Sequence, residues 1–366
     1  MDKSFKKKGE AEKIEVSIFC CVYNHAKYLR KCLDGFVMQK TTFEFEIVIH
    51  DDCSNDGSLK IIEEYAAQYP DLFVVLTENE NQYSKGVLIT SSIMIPRARG
   101  RYYAFCEGDD FWIDEYKLQK QYDYMERDSE CTICYHNTIR HDLGGVEKNS
   151  LFNQWISNHV LTIEEAFVGW NTHTSSSFFR KEYYIKPEFG KRCWFGDLVL
   201  RTWGVHIGKV VVLPDIMSVY NWGVPGGATS TAFYENEEKT LKSNLVLLNY
   251  YKDYDKATNG QYHSVMQSKI RELESMLFLI EAGVRFKNAK NGKILVEECR
   301  DIRNNPLFRN VLRNSDNCWF ISKIIIKYTF PKMWRTVIYA KEDIKHKFKS
   351  WENKNKLSFS HNTNGG

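Results

Sequence analysis

The chain has 366 residues, 43% of them hydrophobic, enough for one large core or two modest ones. Its formal net charge of +3, from 50 Lys and Arg against 47 Asp and Glu, excludes the global basicity of a nucleic-acid binder. No apolar run approaches the roughly 18 residues of a membrane span, and the polar start MDKSFKKKGEAEK has no signal-peptide core, so the expectation is a cytoplasmic protein.

In chain order, runs rich in Val, Ile and Phe predict strands at Val16–Val22, Phe45–His50, Leu72–Leu76, Tyr102–Cys106 and Cys131–Asn137. Between them, apolar residues at helical spacing predict helices at Ala26–Met38, Ser58–Tyr69, Val87–Arg97 and Glu115–Arg127. Strands alternating with helices imply βαβ units and an open sheet covered on both faces. In such a sheet ligands bind beyond the carboxyl ends of the strands, where strand order reverses. Three of those ends carry unusual polar residues: VYNH at 22–25, HDDCSNDGS at 50–58 and EGDDFW at 107–112. They are expected to face one crevice.

Most of the ten cysteines sit inside apolar strand-like runs such as SIFCCVY and CTICY, which reads as buried free thiols. Cys131 and Cys134 form a C-x-x-C with no second pair at zinc spacing. In HDDCSNDGS, turn and capping roles explain Ser54, Asp56, Gly57 and Ser58, but not the adjacent acids Asp51 and Asp52 at a strand end. Glu107, Asp109 and Asp110 crowd charge between aromatics. Either they form a solvated acidic turn, or a hard divalent cation carrying phosphates relieves their repulsion.

The succession VSIFCCVYNHAKYLRKCLDGFVMQ, FEIVIHDDCSNDGSLKIIEEYAAQYP and GRYYAFCEGDDFW resembles the nucleotide-sugar-binding half of family 2 glycosyltransferases with the GT-A fold. Downstream, WFGDLVLRTWGVHIGKVVVLPDIMSVYNWGVPGGATS resembles the acceptor-side segment of bacterial members that build surface glycans. Together they cover roughly residues 14–230.

The resemblance implies an α/β fold: a GT-A-like, Rossmann-type central mixed sheet flanked by helices, with a helical C-terminal region. It implies that Tyr23 stacks near the nucleobase and that Asp52 contacts the base or ribose. Glu107 and Asp109 stand at the two ends of a D-x-D-like motif, the first toward ribose and the second toward Mn²⁺ or Mg²⁺, followed by Asp110. Asp197 matches the carboxylate taken as catalytic base. Where related chains carry Arg and Asn, this one has Ser91 and Ser92, leaving Lys85 or Arg97 for the phosphates. Trp112, His173, Thr174 and Trp194 are the candidates for acceptor binding, and Gly226 and Gly227 for a phosphate-covering loop.

The partners so implied are a nucleotide-sugar donor, UDP-linked in the first instance, and a glycan or lipid-linked acceptor, with no nucleic acid. The reaction would be inverting, with the divalent metal on the leaving diphosphate. A catalytically silent nucleotide-sugar or partner-binding module at the membrane stays open as the other reading. The expected divisions are a basic arm at 1–13, a glycosyltransferase domain at 14–232 (donor half 14–140, acceptor half 141–232), a helical region at 233–318 and a basic amphipathic tail at 319–366. Residues 319–350 carry eight Lys or Arg among Trp and Ile, which suits either a membrane surface on the inner face of the cell membrane or packing on the domain.

Overall fold

The computed structural model describes residues 13–143, 149–168, 171–224 and 237–288. The arm at 1–12, the Gly226 and Gly227 loop and the tail at 319–366 lie outside them, as do Cys299 and Cys318. Two compact units form, Met1–Ser230 with Lys256–Val265, and Thr231–Asp255 with Met266–Gly366.

The first unit begins β1 (Ile14–Val22), α1 (Ala26–Val37), β2 (Glu44–Asp51), α2 (Ser58–Gln68) and β3 (Phe73–Thr77), close to the predicted bounds. Then come β4 (Tyr102–Phe105), the two-residue β5 (Phe111–Trp112), α3 (Lys117–Arg127) and β6 (Cys131–Asp142). The remainder is β7 (Asn149–Leu151), β8 (His159–Val160), the single turn α4 (Ile163–Ala166), β9 (Phe178–Arg180), α5 (Gly196–Ile207) and β10 (Lys209–Trp222).

One mixed sheet results, in the order β3-β2-β1-β4-β9-β6-β10-β5, with β7 on β6 and β8 on β10. β1 pairs in parallel with both β2 and β4, so strand order reverses between β1 and β4. Antiparallel β9 then bridges β4 to β6. The α/β fold with a mixed sheet flanked by helices is as expected.

Alternation along β1 explains the two cores. Val16, Ile18, Cys20 and Val22 pack with Leu29, Cys32, Leu33 and Phe36 of α1, while Phe19 faces the opposite layer with Tyr103, Phe105, Phe179 and Leu200. The α1 set recurs at i, i+3, i+4 and i+7, one buried stripe. Fully burying a side chain such as Phe36 stabilises by roughly 1.5–3 kcal/mol.

The helix predicted over Val87–Arg97 does not form as one α-helix. A π-type turn at Thr90–Met94 runs into a 3₁₀ turn at Ile95–Arg97. Pro96 has no N–H to donate and its ring crowds the preceding turn, which an α-helix interior does not accept.

Two long helices run over Glu237–Ala257 and His263–Asn288, and the second unit holds most of each. Lys252 Nζ lies 3.0 Å from Glu274 Oε1, and Tyr250, Tyr254, Leu273 and Leu277 are buried. Among the described residues no helix is long and apolar enough to cross a membrane.

Candidate active site

Parallel pairing of β1 with β2 and β4 carries three polar loops to the same end of the sheet. The first two loops are sewn together by side chains. Asn24 N–H donates to Ser54 Oγ, His25 N–H to Ser58 Oγ, Ala26 N–H to Asp56 Oδ2, and Asn55 N–H to Asn24 Oδ1, each at 2.9 Å. Asn24 adopts φ 57°, the left-handed region that asparagine tolerates better than most residues. Tyr23 is left 47% exposed beside this seam, open to a flat ligand.

Asp52 is buried, and its two carboxylate oxygens accept the backbone N–H groups of Gln82 (2.7 Å) and Tyr83 (3.0 Å). It therefore holds the loop after β3 in place. Lys85 forms an ion pair with Glu80, and Arg97 is exposed.

The third loop follows β4. Gly108 N–H donates to Cys21 O at 3.1 Å, and a Cβ there would stand 2.8 Å from His25 Nδ1 and 3.0 Å from Val22 Cγ2. Only glycine allows this approach, and it brings Asp109 Oδ2 to 3.9 Å from His25 Nε2. Glu107 is open to solvent at the crevice, yet protein surrounds it closely. Desolvation, then the charges of Asp109 and Asp197, push its carboxyl up to about 7. Asp197, exposed in the first turn of α5, thus lies close enough for its charge to bear on Glu107, although 88 positions separate it from Asp109.

Asp110 points the other way. Fully buried, it accepts Asn221 N–H at 2.9 Å, and its second oxygen lies 3.7 Å from His173 Nδ1. Burial first, then Asp109, pushes its carboxyl well above the usual range. Asn221 Nδ2 also donates to Asp109 O at 2.5 Å, so the end of β10 clamps the acidic loop. Asp110 is a structural acid of the loop.

Of the acceptor-side candidates, Trp112 is corrected by its position. It is 2% exposed, packs edge-on against Phe36 and donates its indole N–H to Ser175 O at 2.8 Å, so no acceptor reaches it. His173 stacks on Tyr220 with centroids 4.0 Å apart, and burial pushes its imidazole down to about 3, leaving it neutral. Thr174 O accepts from Ser177 N–H and its hydroxyl, an internal turn. Trp194, 50% exposed, stands three residues before Asp197.

His25 and Asn221 join this site although neither is a candidate residue of the sequence motifs. The signal for both was position at a strand end beside a conspicuous loop. All eight described cysteines are free, six of them buried, Cys131 and Cys134 among these.

The Glycosyl transferase family 2 model matches residues 17–186, which hold Tyr23, Asp52 and the β4 acids. An uncharacterised protein of Mycobacterium tuberculosis is 34% identical over 210 residues, 56% of this chain and 58% of its own length. A cholesterol galactosyltransferase of Borreliella burgdorferi is 29% identical over 173 residues, 47% of this chain and 46% of that protein. The chain thus spans about half the length of these curated relatives. The solved structure of S. aureus TarS 1–349 with UDP-GlcNAc is 19% identical, covers 65% of this chain and 66% of that one, and superposes with a TM-score of 0.49. On the strength of the family match, residues 17–186 make this chain a carrier of a family 2 glycosyltransferase domain.

Proposed function

We propose that the chain is an inverting glycosyltransferase that moves a sugar from a nucleotide-diphosphate donor, a UDP-sugar being the first to try, to a hydroxyl of a glycan or lipid-linked acceptor. One observation carries the reading: Glu107 stands beside Asp109 and within the field of Asp197, an acid from a distant segment, at the end of the sheet where strand order reverses.

The residues fit a divalent ion. Desolvation first, then the charges of Asp109 and Asp197, raise the Glu107 carboxyl; a cation would relieve the charge part, and Asp109 offers a hard oxygen ligand. Among the described residues no three His, Cys, Asp or Glu side chains are grouped to hold a metal on their own, so donor phosphates would complete the shell around Asp109. Bound there, Mn²⁺ or Mg²⁺ supplies Lewis-acid stabilisation of the leaving diphosphate.

In this reading Tyr23 receives the nucleobase and Glu107 the ribose. Asp52 shapes the Gln82–Tyr83 wall beside them. The Asp197 carboxylate takes the acceptor O–H proton as that oxygen forms its bond to the anomeric carbon. The bond from that carbon to the diphosphate oxygen breaks, its electron pair leaves with the diphosphate, and a single displacement inverts the centre. A general base of this kind contributes about 10² to 10⁴ in rate.

The test is UDP release by the full chain from UDP-glucose, UDP-galactose and UDP-N-acetylglucosamine, with Mn²⁺ or with chelator. The expected result is metal-dependent turnover, lowered about 10²-fold or more by Asp197→Asn and lost in Asp109→Asn with folding intact. Turnover indifferent to chelator and to Asp109→Asn would sink the site assignment.

A further inference from the structure

Lys186 has no role in the chemistry above, and its placement is costly. It is partly buried, and burial holds its ammonium below the usual lysine range. The amine lies across the first turn of α5: a Cβ on Gly196 would stand 2.8 Å from Lys186 Nζ and 3.2 Å from Cε. A helix N-terminus is the positive end of the macrodipole and repels a cation. Among the described residues no carboxylate oxygen stands within 4 Å of this ammonium to compensate. Two groups favour its charge, Cys193 first and then Asp197, the residue after Gly196; burial pushes the Cys193 thiol up to about 11, so of the two Asp197 is the one charged at neutral pH.

We propose that Lys186 is the positioning residue for Asp197: its ammonium, laid over the glycine at the start of α5, holds the Asp197 carboxylate in the crevice against the repulsion of Glu107. The inference rests on Asp197 being the general base. Attraction at this separation is meaningful because the partly buried ammonium is shielded from water on one side, where the effective dielectric is below that of bulk solvent, although Asp197 itself is exposed. Gly196 then has a steric reason. Any side chain there evicts the lysine.

The experiment uses the full chain and UDP release from whichever of the three UDP-sugars the wild type turns over. Lys186→Met is expected to lower kcat about tenfold, a fraction of what a base itself contributes, with the donor KM unchanged. Lys186→Arg restores most of the rate, because a cation of similar reach returns. Gly196→Ala reproduces the Lys186→Met defect while its melting temperature holds or rises, since alanine favours a helix over glycine. In an Asp197→Asn background Lys186→Met makes no further difference.

A loss of equal factor in wild type and Asp197→Asn overturns the inference, because the lysine then acts by packing. So does a raised donor KM at constant kcat, which would make Lys186 a donor contact. Absence of turnover in the wild type, by contrast, overturns the reading of the site as a whole.

Discussion

Two buried cations of the first unit make opposite arrangements with their surroundings. Arg201 of α5 and Lys117 of α3 are both at most 1% exposed, and neither has a carboxylate within 4 Å among the described residues. Arg201 Nε donates to Ala166 O at 2.8 Å, and its terminal nitrogens to Thr172 Oγ1 at 3.1 Å and Val168 O at 3.4 Å. Lys117 Nζ has no hydrogen-bond partner and lies 3.8 Å from the centroid of Trp112. Nearby on the same helix and on β6, Gln121 Oε1 and His136 Nε2 are also unpaired. A buried charge is tolerated when oxygens replace its water, and is expensive when only an aromatic face does. One cation therefore holds a segment together, and the other strains the layer beneath the acidic loop.

The largest expected effect breaks the satisfied arrangement. Arg201→Leu takes a donor from three oxygens, one at the end of α4 and two in the segment after it, at a cost of about 3 kcal/mol or more. Urea unfolding followed by far-UV circular dichroism checks it. A loss below about 1 kcal/mol would mean that water reaches those carbonyls and that Arg201 is not their necessary partner.

The opposite sign is expected at Lys117. Lys117→Met removes an unpaired buried amine and keeps the volume, so the protein should gain about 2 kcal/mol at neutral pH. Burial pushes Lys117 down to about 7, far below the usual lysine value. Between those two values the unfolded chain holds a proton that the folded chain has released, so wild-type stability rises with pH across that window relative to the methionine variant. Below about 7 both states are protonated, and the full penalty remains. The advantage of Lys117→Met should thus be greatest at pH 6 and smallest near pH 10. A gain that does not vary with pH would show that the lysine is already solvated.

The same contrast explains what the sequence made legible. VYNH, HDDCSNDGS and EGDDFW announced a crevice because Asn, Ser, Asp and Gly at strand ends are the residues that bond exposed backbone or permit tight turns. Parallel pairing of neighbouring strands did the rest. The joining of Asp197 to Glu107 came from resemblance, since no local pattern links positions 90 apart. Asp110 and Trp112 misled for one reason: a loop dense in acids and aromatics reads as a surface, while here β10 folds over it and Asn221 buries the second half. Lys117 and Gln121 interrupt the apolar stripe of α3 with groups that ordinarily face water. Their burial depends on strands that arrive later in the chain.

The smallest effect lies in the seam between the loops after β1 and β2. Asp56 Oδ2 accepts Ala26 N–H, and Oδ1 accepts both Ser58 N–H at 3.0 Å and the Ser58 hydroxyl at 2.6 Å. Burial would raise this carboxyl, but those hydrogen bonds outweigh it and hold it below the usual value. Because Asp56 is exposed, solvent screening limits its worth, and Asp56→Ala should cost about 1 kcal/mol, in the range of a lost helix cap. Its folded value is depressed, so the contribution is complete above the unfolded aspartate value near 4 and fades as pH falls through the folded one. Wild type and Asp56→Ala should therefore converge in stability as pH drops toward 3. If the gap instead persists there unchanged, the charge on Asp56 contributes nothing, and its carboxyl holds the seam through hydrogen bonds that survive protonation.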